Sequence, residues 1–388
     1  MSSAARPEGL RSVVAAGADV SHDARVNALF RSTVVLCAVS LACSSPPVGP
    51  EDGGSGGGGA AGGGSGTGGG VATGGGSGTG GGAATGGGAA TGGGAPQWVQ
   101  LPPLPVARQE TAVAALNGEI YVVGGFIPGA IVPAVDAYDP SSGVWRDAGS
   151  LPIAVHHANV AALNGKLYMV GALTGAGFAA TRAVYEYDPA TRLWTAKAQL
   201  PAGTERGGGA IAAIGNHLYL AGGFRQGAAV ADFSRYDPVA DVHEPLPAMP
   251  APRDHLVGGA VGNAFFAIGG RNAAITSMTP RVDRFDTLDG GWSSAAPMLT
   301  ARAGCAAGVS GSRIMVVGGE GNAAAASGVF PQVEILDTAA NAWLDAGVML
   351  TPRHGTGGAV VNGVFYVPGG ANTQAFGAVT TVEAIVFP

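Results

Sequence analysis

A chain of 388 residues with 20 basic and 26 acidic side chains carries a formal net charge of −6, and only two of its basic residues, Lys166 and Lys197, are lysines. That balance offers no polybasic footprint, so nucleic acid is excluded as a partner. Glycine is the anomaly: 69 residues, about 18% against an average near 7%, which calls for disorder, tight backbone geometry or both.

In chain order, the first predicted element is an address. Arg31 precedes an uncharged apolar run, Ser32 to Ala42, too short to span a bilayer and suited to the core of a signal peptide. Residues 1–42 therefore read as an N-terminal extension and export signal. The stretch before Arg31 is longer than such a signal needs, which places the expected start of translation near Val26. Ser40-Leu41-Ala42-Cys43 resembles a bacterial lipobox with its leucine one step late, and makes Cys43 the expected lipidation site; cleavage by ordinary signal peptidase is the other reading. Residues 43–96 form the second element. Between Gly53 and Ala95 only Gly, Ala, Ser, Thr and one Val occur, 26 of them glycine. Nothing there can build a core, so the segment reads as a disordered tether.

Residues 97–388 carry an internal repeat. An apolar strand motif ending in two small residues recurs at Ile120, Leu167, Leu218, Phe265, Ile314 and Phe365 (IYVVGG, LYMVGA, LYLAGG, FFAIGG, IMVVGG, FYVPGG). A second register runs through Trp98, Trp145, Trp194, His243, Trp292 and Trp343, and a third through Tyr138, Tyr187, Tyr236, Phe285 and Leu336, each followed by Asp. All share one period of about 49 residues. Each repeat is predicted as four strands: a small-residue strand ending in a turn such as Asn117-Gly118, the apolar strand, an alternating strand closed by Asp-Pro, and the Trp strand. No apolar stripe of helical period exists, so the domain is all-β.

The Gly-Gly pairs, the Tyr-Asp-Pro and the spaced Trp together resemble kelch repeats, over about Gln97 to Pro388. The resemblance implies a six-bladed β-propeller. The last repeat lacks a Trp strand and Trp98 to Leu104 is a Trp strand with no blade, so the N-terminal strand is expected to complete the sixth blade. Glycines of the first strands, Gly258 and Gly259 among them, are expected where the blades crowd toward the axis.

A fourth register concerns function. Seventeen residues before the second position of each small pair stand Arg108, Val155, Arg206, Arg253, Arg302 and Arg353. By resemblance to kelch propellers this slot lies where loops enter the central channel, and such arginines, with Arg271 after Gly269-Gly270, contact acidic ligands in some family members. The other reading is architectural, each arginine bonding carbonyls or an acid at a blade junction. His156, His157, His255 and His354 neighbour the same slot. Alternate blades are expected to stand too far apart around the channel for one ion, so no metal and no cofactor is expected. The candidate ligand-binding residues are Arg108, Arg206, Arg253, Arg271, Arg302, Arg353, His255 and His354, with Glu110, Glu205 and Glu320 as candidate acids.

Copper-radical oxidases also use a kelch propeller, but here the tyrosines are absorbed by the repeat and Cys305 lies in a small-residue strand. The expectation is a monomeric, non-enzymatic, exported binding or scaffold protein, anchored to the outer membrane or cell surface through its lipid alone and presenting the propeller to a protein or glycan ligand. The alternative is an enzyme, periplasmic or at the surface, that interconverts anomers or epimers of acidic sugars such as sialic acid, which bacterial six-bladed kelch relatives do.

Overall fold

The computed structural model describes residues 97–388; the readings of residues 1–42 as an export signal, of Cys43 as a lipidation site and of residues 43–96 as a tether lie outside the described residues. Within them six four-stranded antiparallel sheets follow one another, each in the order first, second, third, fourth strand. Blade 1 comprises Ala112–Leu116, Glu119–Val123, Ala134–Asp139 and Val144–Ser150, and blade 4 comprises Val257–Val261, Ala264–Ile268, Val282–Asp286 and Gly291–Ala295. Blade 6 is made from both ends of the domain: Ala359–Val361, Val364–Pro368 and Val382–Val386 are completed by Val99–Leu101. Val99 pairs with Ala384 and Leu101 with Val382. First strands of neighbouring blades touch around the whole ring, blade 6 against blade 1 included, so this is the closed six-bladed propeller that the repeat predicts.

The apolar second strand is continuous because it is buried on both sides. In blade 1, Tyr121 and Val123 enter the core shared with blade 2, while Ile120 enters the core shared with blade 6. Similar apolar layers fill the other blade interfaces. Two buried faces per blade leave little surface for charge, which accounts for the low charged fraction of 12%.

The other registers act as latches. Trp145 donates its indole N–H to the Pro102 carbonyl at 3.0 Å, Trp292 to Pro247 at 2.7 Å and Trp343 to Ala296 at 2.8 Å, each tying a fourth strand to the preceding blade. His243, which replaces Trp in blade 3, donates from Nε2 to Ala198 at 2.9 Å and so preserves the bond. Asp237 accepts the backbone N–H groups of Val239 and Ala240, closing the turn after the third strand. Two causes hold for the domain's glycine. A Cβ on Gly258 would lie 2.7 Å from the Ala210 Cβ of the neighbouring first strand. In the pair Gly222-Gly223, φ is +63° and +116°, and a Cβ on Gly222 would lie 2.6 Å from the Arg253 carbonyl of the next blade.

Candidate functional site

The five repeated arginines are buried inside the blades, each 2% exposed or less. Arg108 pairs with Asp136; Arg253 reaches Asp283 at 2.6 Å and Arg353 reaches Glu383 at 3.0 Å. Arg302 lies 3.4 Å from Glu334 and donates to the carbonyls of Gly318, Gln332 and Val316. Among the described residues Arg206 makes no ion pair; it donates to Ser234 and to the carbonyls of Thr204 and Leu220, and burial lowers it to about 10, still charged at neutral pH. The same residues accept from the blade before: Gly223 N–H reaches the Arg253 carbonyl and Gly319 N–H that of Arg353, both at 2.8 Å.

This corrects the expectation that Arg108, Arg206, Arg253, Arg302 and Arg353 line the channel mouth: their guanidinium groups bond within their own blades and the backbone beside them holds the ring together. Blade 2 supports the same role by departing from it. Val155 replaces the arginine, and Tyr185 stands where the other third strands carry Asp136, Ser234, Asp283, Glu334 or Glu383. The two residues join one apolar core, so pair and counterpart are exchanged together, as expected when a buried ion pair gives way to packing.

Two residues further along, every repeat turns left-handed. Glu110, His157, Gly208, His255, Gly304 and Gly355 have φ between +50° and +64°. Their backbones close a ring: each N–H donates to the carbonyl of its counterpart in the preceding blade, Glu110 to Gly355, then His157 to Glu110, Gly208 to His157, His255 to Gly208, Gly304 to His255 and Gly355 to Gly304. Apart from the first, these bonds measure 2.7–3.0 Å. They draw the channel into a neck between a chamber of about 200 Å3 lined by first strands and an outer vestibule of about 250 Å3.

The neck brings alternate blades together, which overturns the argument from separation used against a shared ion. His157 Nε2 stands 2.8 Å from His255 Nε2 and 3.0 Å from Glu110 Oε2. Around them His354, Glu320 and Arg271 form the vestibule floor. Arg271 bonds Glu320, Asp254 Oδ1 at 3.3 Å and His255 Nε2 at 3.1 Å. Burial pushes Glu110 up, but the charge and hydrogen bond of His157, with His255 and His354 behind, bring it below the usual carboxylate range. Burial lowers His255 against the opposing bond to Asp254, and lowers His156 to about 4.

Of the candidates named from sequence, then, Arg271, His255, His354, Glu110 and Glu320 meet at the mouth. Glu205 does not; its carboxylate accepts the Gly203 N–H. The vestibule rim was missed. Phe126 packs tilted against His156 with centroids 4.3 Å apart and meets Phe178 at 6.1 Å and Phe376 at 5.7 Å. Phe376 is 69% exposed, at the tip of a loop held by Gln109, whose Nε2 donates to the Ala375 carbonyl at 2.6 Å and whose Oε1 accepts from Gly377 at 2.8 Å. A second, apolar furrow of about 610 Å3 shares Phe126 and Phe376 and runs along Ile127 to Ile131. Nothing in the repeat marks these loops, because they lie between its registers.

The Kelch motif model matches residues 107–152 and 205–250. Over 279 residues the chain is 34% identical to the Kelch-like protein terF of Aspergillus terreus, covering 68% of this chain and 61% of that protein. It is 28% identical over 262 residues to Kelch-like protein 36 of Mus musculus, covering 64% of this chain and 41% of that one. Less than two thirds of either curated relative is therefore spanned. The solved structure of YjhT superposes with a TM-score of 0.62 at 18% identity, covering 73% of this chain and 95% of that chain, a likeness of fold.

Proposed function

The chain belongs to the kelch-repeat β-propeller family, and from that premise we propose that it is an exported, lipid-anchored binding module that holds a protein or glycan ligand on its vestibule face. Binding of protein partners is the general use of kelch propellers. The observation that carries the reading is the vestibule: an aromatic rim of Phe126, Phe178 and Phe376 over a floor of Glu110, His157, His255, Arg271, Glu320 and His354. Apolar walls with a few convergent polar groups are what a recognition pocket requires. At about 250 Å3 the vestibule falls below the roughly 300–1,000 Å3 of small-molecule pockets. Its size suits one inserted side chain or terminal sugar, while the furrow beside it offers further contact area. Export and anchoring rest on the Ser32 to Ala42 run and on Cys43 ahead of the Gly-rich segment.

The test is a screen of the purified protein against a glycan array and a displayed peptide library, repeated with Phe376→Asp. Hits that weaken at least tenfold in the variant support the reading; hits indifferent to it sink the vestibule as the binding face. For the anchor, cells fed labelled palmitate should label the protein and lose the label with Cys43→Ala. Acceleration of sialic acid anomer exchange in an NMR assay, abolished by Arg271→Ala, would instead move the protein to the enzymes. Arg271 already engages Glu320 and Asp254, so a sugar carboxylate would have to displace one of them.

A further inference from the structure

Three imidazoles at the neck have their tautomers set by outward bonds. His156 Nε2–H donates to the Gly175 carbonyl at 3.1 Å, so its Nδ1 accepts from His157 Nδ1–H at 2.6 Å. His255 Nδ1–H donates to Asp254 Oδ1 at 2.5 Å, and His354 Nε2–H to the Thr373 carbonyl at 2.9 Å. In the neutral rings, lone pairs on His157 Nε2, His255 Nε2 and His354 Nδ1 therefore all point inward. The first two face each other at 2.8 Å beside the Glu110 carboxylate. His354 Nδ1 is buried without a hydrogen-bond partner, 3.8 Å from Glu110 and 3.7 Å from Glu320. Lone pairs and a carboxylate converging on one point call for positive charge between them, from a bound ion or from protons.

We propose that Glu110, His157 and His255 bind a divalent transition-metal ion of the zinc type at the neck, with His354 as a fourth, nearby donor. Two imidazole nitrogens and a carboxylate are a common zinc donor set. Ligand atoms of a tetrahedral zinc lie about 3.3 Å apart, from bond lengths near 2.0–2.1 Å; here the three fall within 4.8 Å of one another, a spacing that small ring rotations convert. The bond from Asp254 to His255 supplies the outer-shell carboxylate that orients a metal-binding histidine. Charge agrees. Glu110, Glu320 and Asp254 are nearly buried and, among the described residues, face one guanidinium, that of Arg271, so the cluster carries two uncompensated negative charges when its histidines are neutral, and burial demands their balance. Arg271 Nη2 now donates to His255 Nε2; the ion takes over that lone pair and leaves Arg271 to its carboxylates. The backbone adds an independent argument. Three of the six left-handed neck positions are glycine, whereas Glu110, His157 and His255 occupy that region against the steric preference of side chains with a Cβ. Those three strained non-glycine positions are the proposed ligands.

The experiment uses the full chain, stripped with EDTA and titrated with Co2+ and Zn2+. One equivalent of Co2+ should bind with visible ligand-field bands and be displaced by Zn2+. Glu110→Gln and His157→Gly should each weaken binding at least 100-fold while circular dichroism remains native; the glycine variant matches the backbone of the other blades and so keeps the fold. His217→Ala, whose half-buried ring lies beside Asp237 and outside the neck cluster, should bind as the parent does. Absence of a one-to-one cobalt complex, or a complex unchanged by both neck variants, overturns the proposal and assigns the balancing charge to protons on the histidines.

Discussion

Two rings of residues, two positions apart in every repeat, have opposite fates. The arginine ring is nearly uniform, buried, and spent on architecture: side chains clamp the blade's own third strand while backbone carbonyls receive the preceding blade. The neck ring is uneven, glycine in three blades and Glu110, His157 or His255 in the others, and its side chains meet at the axis. A residue that recurs in every copy serves what every copy needs. Departures from the repeat mark what the assembled ring needs once.

The largest effect should come from the uniform ring. Arg253→Ala leaves the buried Asp283 to Arg281 alone and strips the donors from the Gly269, Arg281 and Ala267 carbonyls, and is expected to destabilise the fold by roughly 3 kcal/mol in urea unfolding. The double change Arg253→Val with Asp283→Tyr, which copies the Val155 and Tyr185 couple of blade 2, should recover most of that loss; a double variant as unstable as the single one would break the architectural reading. The uneven ring should respond in the other direction. Glu110→Gly removes a left-handed non-glycine residue and a buried carboxylate, so stability should stay within about 1 kcal/mol of the parent or rise, although the neck loses its acid. A cost comparable with that of Arg253→Ala would show that the neck side chains are architectural too.

The smallest effect concerns the Trp register. Burial lowers the His243 pKa, so the unfolded chain takes up its proton first as pH falls. Stability tied to the neutral ring is complete above the unfolded value near 6.5 and is lost as pH drops from there toward the lowered folded value. His243→Trp keeps a donor for the Ala198 carbonyl and should flatten the decline in thermal midpoint between pH 7 and pH 5; an unchanged slope would remove His243 from that account.

Much of the fold was legible because its signals are local and repeated. Gly-Gly pairs, Asp turns and spaced Trp residues mark where a strand ends or a blade latches, and five copies of each at one period leave one architecture. The Trp strand at Trp98 and the missing one after Val386 even showed where the ring closes. The site was legible only in part. Arg271, His255 and His354, named from the sequence, stand at the mouth, whereas the five repeated arginines draw attention for the very regularity that makes them structural. A fifth register lies two residues after the slot of Arg108, Val155 and the other four arginines, reading Glu, His, Gly, His, Gly, Gly, and its mixture of glycine with chemistry-bearing residues was the signal to follow.

By itself the sequence determined the number of blades, the order of strands within each, the closure of the sixth blade and the positions where only glycine fits, since each follows from short-range pattern and a constant period. Which register would face the axis was decided only by the tertiary structure. Radial position depends on how tightly the closed ring draws its first strands together, and the six backbone bonds of the neck do that drawing. They place His157 beside His255, 98 residues apart, where period and composition alone had kept the blades separate.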